Sequence, residues 1–576
     1  MRLESRLINQ GGVGRGMSLM VTPCVRIGFV ILVCMLLASF VSSQYSEPTN
    51  GGTTYYVSPS GNDSNPGTET QPWQTIQKAA DTLVAGETVY IKAGTYPEQV
   101  VPTNSGGTGN YITYAAYPGD IVTIDGNSVS LSSGQDGLFN VSNKSYIAIS
   151  GLRIINAGPQ FNSNGILVDS SGYITIEKNY TYNTLSSGIG VWLSDNITID
   201  GNEVELACNG GEQECITVAG TDIFEIKNNH VHHDGPAIIG GEGIDAKDGS
   251  SNGKIYNNYV HHINGRVGIY VESWNKHTYN IEVFQNRVHD VNNDGFTVAS
   301  ERGGLLENIS IYNNIAYDNM VGITVSKNGG PLYNHPMKDI RVINNTFYNN
   351  GIGNWGGGIY VDNPDVESVV IRNNICSQNL SFQIVPEINV PTQNITVDHN
   401  LIDGYRGYTG EIYGNDYVEG DPLFVSSSGV DFHLQSNSPA VDKGSSIDAP
   451  GNDYDGTSRP QMTGYDIGAY EYAPGGIITT IGSTTTTTIS QTTTTTTTGG
   501  GCSAEEIYGE DSEEVEILQY LRDNVLSQTP EGQEIIRLYY QWSPVIVKVM
   551  EKDEEFEEEV KEMIDGILLL IWGEME

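Results

Sequence analysis

The phrase Glu242-Gly243-Ile244-Asp245-Ala246-Lys247 places carboxylates and one amine around an alternating apolar pair. It is one copy of a recurring Gly-Ile-x-Val-x pattern, with further copies beginning at Gly165, Gly188, Cys215, Gly268, Gly295, Gly322 and Gly358. Aligned on this pattern, the residue before the glycine is Glu214, Glu242, Val267 or Asp294. The third position gives Thr217, Asp245, Tyr270, Thr297 and Tyr360, and the fifth gives Trp192, Ala219, Lys247, Glu272, Ala299 and Asp362. In an extended strand the Ile and Val face one side and these residues the other. If successive copies stack as strands about 4.8 Å apart, Glu242, Asp245, Lys247, Tyr270 and Glu272 fall on one patch, with Asp248, Trp274 and Lys276 at its edge.

Such a patch suits proton abstraction next to a carboxylate, as in a uronic acid. That reaction needs a hard cation to neutralise the carboxylate and a base to reach the proton. Glu214, Glu242, Asp245 and Asp248 are the candidate calcium ligands. Lys247 is the candidate base, provided that neighbouring positive charge lowers its pKa, and Lys276 and Arg266 are next in line. Trp192, Tyr270, Glu272, Trp274 and Arg302 are candidate substrate contacts, Arg302 as a bidentate clamp on a carboxylate. Two other readings compete. A surface ion-pair network would contribute little, and Asp245 with Glu272 would serve a glycoside hydrolase if about 5–9 Å apart. His232-His233-Asp234 and His261-His262 recur at matching places and are expected as stacked turn residues, with zinc ligation the alternative.

The elements that must position these groups are written in a second repeat. ITIEKNY, ITIDGNEV, FEIKNNHV, GKIYNNYV, IEVFQNRV, ISIYNNIA, IRVINNTF, VVIRNNIC and ITVDHNLI carry marker asparagines at Asn179, Asn202, Asn229, Asn258, Asn286, Asn314, Asn345, Asn374 and Asn400. Their spacing of 23 to 31 residues, with period-two apolar alternation, predicts a solenoid of stacked strands. Each rung is too short to bury its own apolar face without neighbours. The marker asparagines are expected at turns, stacked into a hydrogen-bonded ladder.

These repeats resemble the right-handed parallel β-helix of the pectate-lyase-like superfamily over roughly residues 54 to 472. The predicted class is therefore all-β, with a small separate α-helical C-terminal domain. The phrase from Glu242 to Lys247 is similar to the acidic-Gly-apolar-x-x-Lys phrase of β-helical pectate lyases that use a lysine base. Here Glu stands where that family favours Asp, and the next rung carries Val267 and Glu272 in place of its further aspartates. The resemblance implies a calcium-dependent polysaccharide lyase. A non-catalytic glycan-binding or envelope protein is the reading from another class, and an epimerase on the same fold is a further alternative.

Formal charge is −42. That balance excludes a phosphate-binding surface of the usual basic kind, and so argues against a nucleic-acid partner. Arg26 followed by the apolar run Ile27–Val41 and Ser42-Ser43 reads as a secretory signal over residues 1–43, and Met17 is an alternative start. The competing reading is an uncleaved anchor. Export would permit a Cys208–Cys215 disulfide, whereas Cys376 is expected as a packed thiol. Residues 54–110 are expected to cap the first rung with a short helix from Trp73 to Leu83, as in related β-helices. Rungs span 111–420. Residues 421–473, with DPLF, NDYDG and DIGAYE, resemble a module that closes the far end of secreted β-helices. Within it, Asp453 and Asp455 are expected to accept turn hydrogen bonds and pair with Arg459, with calcium binding the alternative. A Thr/Gly-rich linker (474–501) leads to an acidic helical segment (502–576) resembling the CFI-box type domain, which implies attachment to the cell envelope. The expected molecule is a secreted or surface-held monomer whose partner is a polysaccharide.

Overall fold

The structure is a computed structural model, and it describes residues 52–474, apart from 211–212, 234–239 and 331, together with residue 561. The expected signal segment, most of the expected linker, the expected C-terminal helical segment apart from Lys561, and Asp234 lie outside the described residues.

Three parallel sheets run side by side along one axis. The first proceeds from Thr54–Val57 to Ile395–Asp398. The second runs from Gly94–Tyr96 to Leu401–Asp403 and Val418–Glu419, and the third from Asp136–Ser142 to Phe382–Pro386. One rung shows the plan. Asp222–Lys227 lies in the first sheet, His230–His232 in the second and Ile244–Lys247 in the third, before Ser251–Tyr256 opens the next rung. The register is in step from rung to rung, so Ile216, Ile244, Ile269 and Phe296 stack in one inward column and Val218, Ala246, Val271 and Val298 in another. All eight are buried. Burying each Ile, Val or Phe side chain contributes roughly 1.5–3 kcal/mol before the entropy of ordering is counted.

The marker asparagines explain the corner between the first and second sheets. Each follows a residue in the left-handed region, such as Asn228 (φ 55°), Asn257 (φ 54°) and Gln285 (φ 55°). That conformation turns the chain sharply, and asparagine adopts it more readily than most residues. Asn258 Nδ2 donates to Asn286 Oδ1 at 2.9 Å and to the Ile226 carbonyl at 2.9 Å, while Asn286 Oδ1 also accepts from the Asn258 backbone N–H. The same three contacts recur from Asn179 to Asn374. The ladder therefore satisfies buried corner groups that no sheet reaches.

The glycine that opens each third-sheet strand has a different cause. A Cβ on Gly243 would lie 2.5 Å from the Gly268 carbonyl oxygen, and one on Gly268 would lie 2.6 Å from that of Gly295. Where these glycines stand, successive rungs approach too closely for a side chain, although Cys215 holds the same place in one rung.

At the first rung, the helix Ile76–Thr82 buries Ile76, Ala79 and Ala80. It is shorter than the expected Trp73–Leu83, because Trp73 stacks on Tyr55 (4.7 Å) and bridges to Val57 instead. At the other end, Ile412 and Tyr413 pack against the core. The 421–472 module does not lie across this end. Phe424, Phe432, Leu434 and Ile467 pack on Ile315, Tyr317, Ile375 and Leu401 of the second sheet. Gln285 Nε2 reaches the Tyr454 carbonyl at 2.8 Å and Arg287 reaches that of Val430 at 3.0 Å. The module thus runs back along the flank, over apolar side chains that the second sheet turns outward.

Candidate functional site

The third sheet carries the predicted patch with its inward and outward positions as expected, but the outward face is not open. Thr217, Asp245, Tyr270, Thr297 and Thr324 are all buried, although none points into the core. The turns that follow the strands rise around this face. Asn328 Nδ2 donates to the Tyr270 hydroxyl at 2.9 Å, which in turn donates to Glu301 Oε1 at 2.6 Å. Arg302 stacks over Trp274, its guanidinium carbon 4.0 Å from the ring centre, and also faces Tyr333.

Inside that wall, Lys247 is the centre of an acidic cluster. Its Nζ donates to Glu214 Oε1 at 2.5 Å and lies 3.8 Å from Asp245 Oδ2. Thr217 Oγ1 donates to the other oxygen of Glu214 at 2.8 Å. Glu242 faces Arg266 at 3.6 Å. The buried oxygens Asp245 Oδ1 and Glu272 Oε2 have no hydrogen-bond partner. Burial drives the Asp245 carboxyl well above the ordinary range, despite the pull of Lys247. Burial, then the charge of Glu214, raises Glu242 to about 7, and burial, then the charge of Glu301, raises Glu272 to about 9. Burial works against the Lys247 ammonium, but Glu214 and Asp245 outweigh it and hold the amine above the usual lysine value. The condition set for a lysine base, a lowered pKa, is therefore not met by the protein alone.

Four carboxylates share one ammonium in a desolvated space, an arrangement that is costly unless protons or a further cation compensate. The two partnerless oxygens and the all-oxygen donor set fit a hard cation such as calcium. Asp248, expected among the ligands, is otherwise engaged. Its Oδ1 accepts from the backbone N–H groups of Asn275 and Lys276, and its Oδ2 lies 3.1 Å from Lys276 Nζ. Lys276 and Arg266 are the more exposed cations, at the rim. Trp192 stands two rungs before Lys247, through Ala219, roughly 10 Å away at the strand spacing. Its ring folds back over Gly190, where a Cβ would lie 2.2 Å from it. Glu272 and Tyr270 belong to the buried cluster rather than to an exposed subsite.

Asn328 was not legible as a site residue. It lies in an irregular turn, and only the path of that turn brings it 58 positions back to Tyr270. Arg302, expected as a carboxylate clamp, is held by ring stacking. Asp294 accepts from Thr297 Oγ1 at 2.9 Å, and burial raises it to about 6. Cys208 and Cys215 are buried free thiols, without the disulfide that export would permit. Cys208, with His233 Nε2 at 3.4 Å, draws the Cys215 thiol down. Cys376 is a buried thiol as expected. His232 and His261 are stacked, at 5.2 Å and 11°, but they lie on strands rather than turns. Asp453 accepts turn N–H groups from Asp455 and Thr457 as expected, whereas Arg459 pairs with Glu471 at 2.7 Å and Asp455 with His433 at 2.8 Å.

Residues 55–363 match a family described as Pel9A-like, right handed beta helix region. The uncharacterized protein YwoF of Bacillus subtilis (strain 168) is 28% identical over 463 residues, covering 71% of this chain and 97% of that protein. The pectate lyase PEL9 of Emericella nidulans is 35% identical over 115 residues, which is 18% of this chain and 28% of that one. Among solved structures, that of pectate lyase Pel9A aligns with a TM-score of 0.48 at 18% identity, covering 73% of this chain and 98% of that one. With the family match spanning more than half of its length, the chain belongs to the Pel9A-like right-handed β-helix family.

Proposed function

We propose that this chain is a polysaccharide-active protein, a calcium-dependent lyase that cleaves a uronate-containing polymer by β-elimination. The observation that carries this reading is the pair of partnerless buried oxygens, Asp245 Oδ1 and Glu272 Oε2, in a cluster of four carboxylates around Lys247. A pectate lyase among the curated relatives supports the substrate class. Glu214, Glu242, Asp245 and Glu272 would hold the cation, which when bound neutralises a substrate carboxylate and acidifies the neighbouring C–H. Arg266, Trp274 and Arg302 at the rim would orient the polymer beside Lys247. Lys247 Nζ would take the proton from C5 as the C4–C5 double bond forms and the C4–oxygen bond breaks, the departing oxygen taking a proton from water. It becomes a neutral base only when its acidic partners are engaged elsewhere, so proton abstraction and cation binding are coupled. The amino-terminal basic and apolar residues support export.

One observation favours a second reading, a glycan-binding protein without turnover. The Lys247 ammonium is already held by Glu214 and Asp245.

The test incubates the full chain with polygalacturonate, alginate and other polyuronates, with calcium or with chelator, and follows the ultraviolet absorbance of unsaturated product. Calcium-dependent product that Lys247→Ala abolishes is the expected result. New reducing ends without unsaturation would make the chain a hydrolase. Retention of a glycan by wild type and Lys247→Ala alike, with no product from any polymer, would establish the binding reading.

A further inference from the structure

The second sheet carries a cluster of different chemistry from the carboxylates of the third. Val204, Val231, Val260 and Val288 point into the core, so the residues on either side of them face outward. One outward column runs Glu203, His230, Tyr259. The other runs Glu205, His232, His261, His289 and on to Tyr317 and Tyr348. The rings of the second column stack at 5.2, 5.1 and 4.7 Å, which fixes their planes. His230 joins the stack, its ring 4.2 Å from that of His232 and 5.1 Å from that of Tyr259, but stacking does not by itself bring ring nitrogens together. His230 Nε2 approaches His261 Nε2 to 2.7 Å across two rungs, and His232 Nε2 lies 3.3 Å from Glu203 Oε1. Ligand atoms of His230, His232 and His261 lie within 4.8 Å of one another, and so do those of Glu203, Glu205 and His232.

We propose that His230, His232 and His261, with Glu203 or Glu205 as fourth ligand, form a zinc-type transition-metal site that clamps three successive rungs. Three imidazoles and one carboxylate are a ligand set for a borderline divalent ion, not for calcium, which takes oxygen ligands. Tetrahedral zinc at about 2.0–2.1 Å from each nitrogen holds the nitrogens roughly 3.3 Å apart, so the 2.7 Å pair needs a small opening to admit the ion. His261 Nδ1 meets His262 Nδ1 at 2.5 Å, which leaves Nε2 as the nitrogen directed at the site. This is the outer contact that orients a ligating imidazole. The imidazoles come from Tyr259–His261 and His230–His232 and the carboxylates from Glu203–Glu205, so the ion would tie together strands held otherwise only by parallel pairing.

The experiment uses the full chain, stripped with chelator and dialysed. Zinc binding is measured by competition with a chromophoric chelator, coordination by the visible spectrum of the cobalt(II)-substituted protein, and fold by circular dichroism. Wild type should bind one zinc with tetrahedral cobalt bands, and excess calcium should not displace it. His261→Ala should weaken zinc binding at least tenfold, and Glu203→Gln, at a half-exposed position, should weaken it without touching the fold. His277→Ala, on the first sheet beside Glu307, should bind as wild type does. Absence of stoichiometric zinc in the folded wild type would overturn the site, and so would equal affinity in wild type, His261→Ala and Glu203→Gln. The wild-type measurement decides the matter even where a variant fails to fold.

Discussion

Lys247 is where chemistry and stability meet. Among the described residues its side chain pairs directly with Glu214 and Asp245, beside Glu272, so its removal strands buried carboxylates. Breaking a buried pair by deleting one partner costs about 3–5 kcal/mol. Lys247→Ala should therefore lose stability of that order in chelator, measured by urea unfolding. Calcium should restore part of the loss, because an ion that binds only the folded state stabilises it by about 2.7 kcal/mol at a hundredfold excess over Kd. Stability of wild type and of Lys247→Ala that calcium leaves unchanged would show that the carboxylates hold no calcium. The outward direction of this side chain, taken alone, suggested a substitution without structural cost. Its burial beneath the surrounding turns reverses that expectation.

At the scale of elements, the asparagine ladder holds each corner closed. Asn286 Nδ2 donates to the carbonyls of Ile255 and Phe284 and to Asn314 Oδ1, and its Oδ1 receives both Asn258 donors. Asn286→Ala leaves several of these groups buried without partners, each costing about 1–3 kcal/mol. A destabilisation of at least about 2 kcal/mol is expected in urea unfolding. Asn280→Gly is the control. Its amide lies at an exposed position, donates to Asn252 Oδ1 and accepts from Asn308, and glycine keeps its left-handed φ of 55°, so its replacement should change stability by less than about 1 kcal/mol. Similar losses in the two variants would mean that the stacked strands alone hold the corner.

For the whole molecule, the flank module is held in shape by a pH-sensitive contact of its own. His433 lies between Asp431 Oδ1 at 2.6 Å and Asp455 Oδ2 at 2.8 Å, and stacks on Tyr470. Burial disfavours its charge, but the hydrogen bond and charge of Asp455, then of Asp431, outweigh burial and raise it to about 9. A histidine raised in the folded state contributes stability that is whole below its unfolded value of about 6.5 and lost as pH rises through about 9. Limited proteolysis of residues 421–472 should accelerate between pH 7 and 10 in wild type. In His433→Gln it should be faster at pH 7 and nearly flat across that range. A wild-type rate that rises no more steeply than that of His433→Gln would show that His433 does not hold the module in shape.

The sequence alone determined the solenoid, its inward columns and its corners. A rung repeats every 23 to 31 residues, and each obeys local rules: alternation along a strand, a left-handed residue before a buried asparagine, a glycine where the next rung comes close. It also placed Glu214, Glu242, Asp245, Lys247 and Glu272 together, because in-step stacking turns equal positions in the repeat into neighbours. What it left open lies outside the repeat. The turns that bring Asn328 to Tyr270 and Arg302 onto Trp274 follow no period, and their path is set by contacts between rungs. The run of 421–472 back to Gln285 and Arg287 depends on which outward side chains of the second sheet are apolar. Only tertiary structure could turn an outward acidic stripe into a buried one, because exclusion of water depends on what lies above the strand as well as on the strand itself.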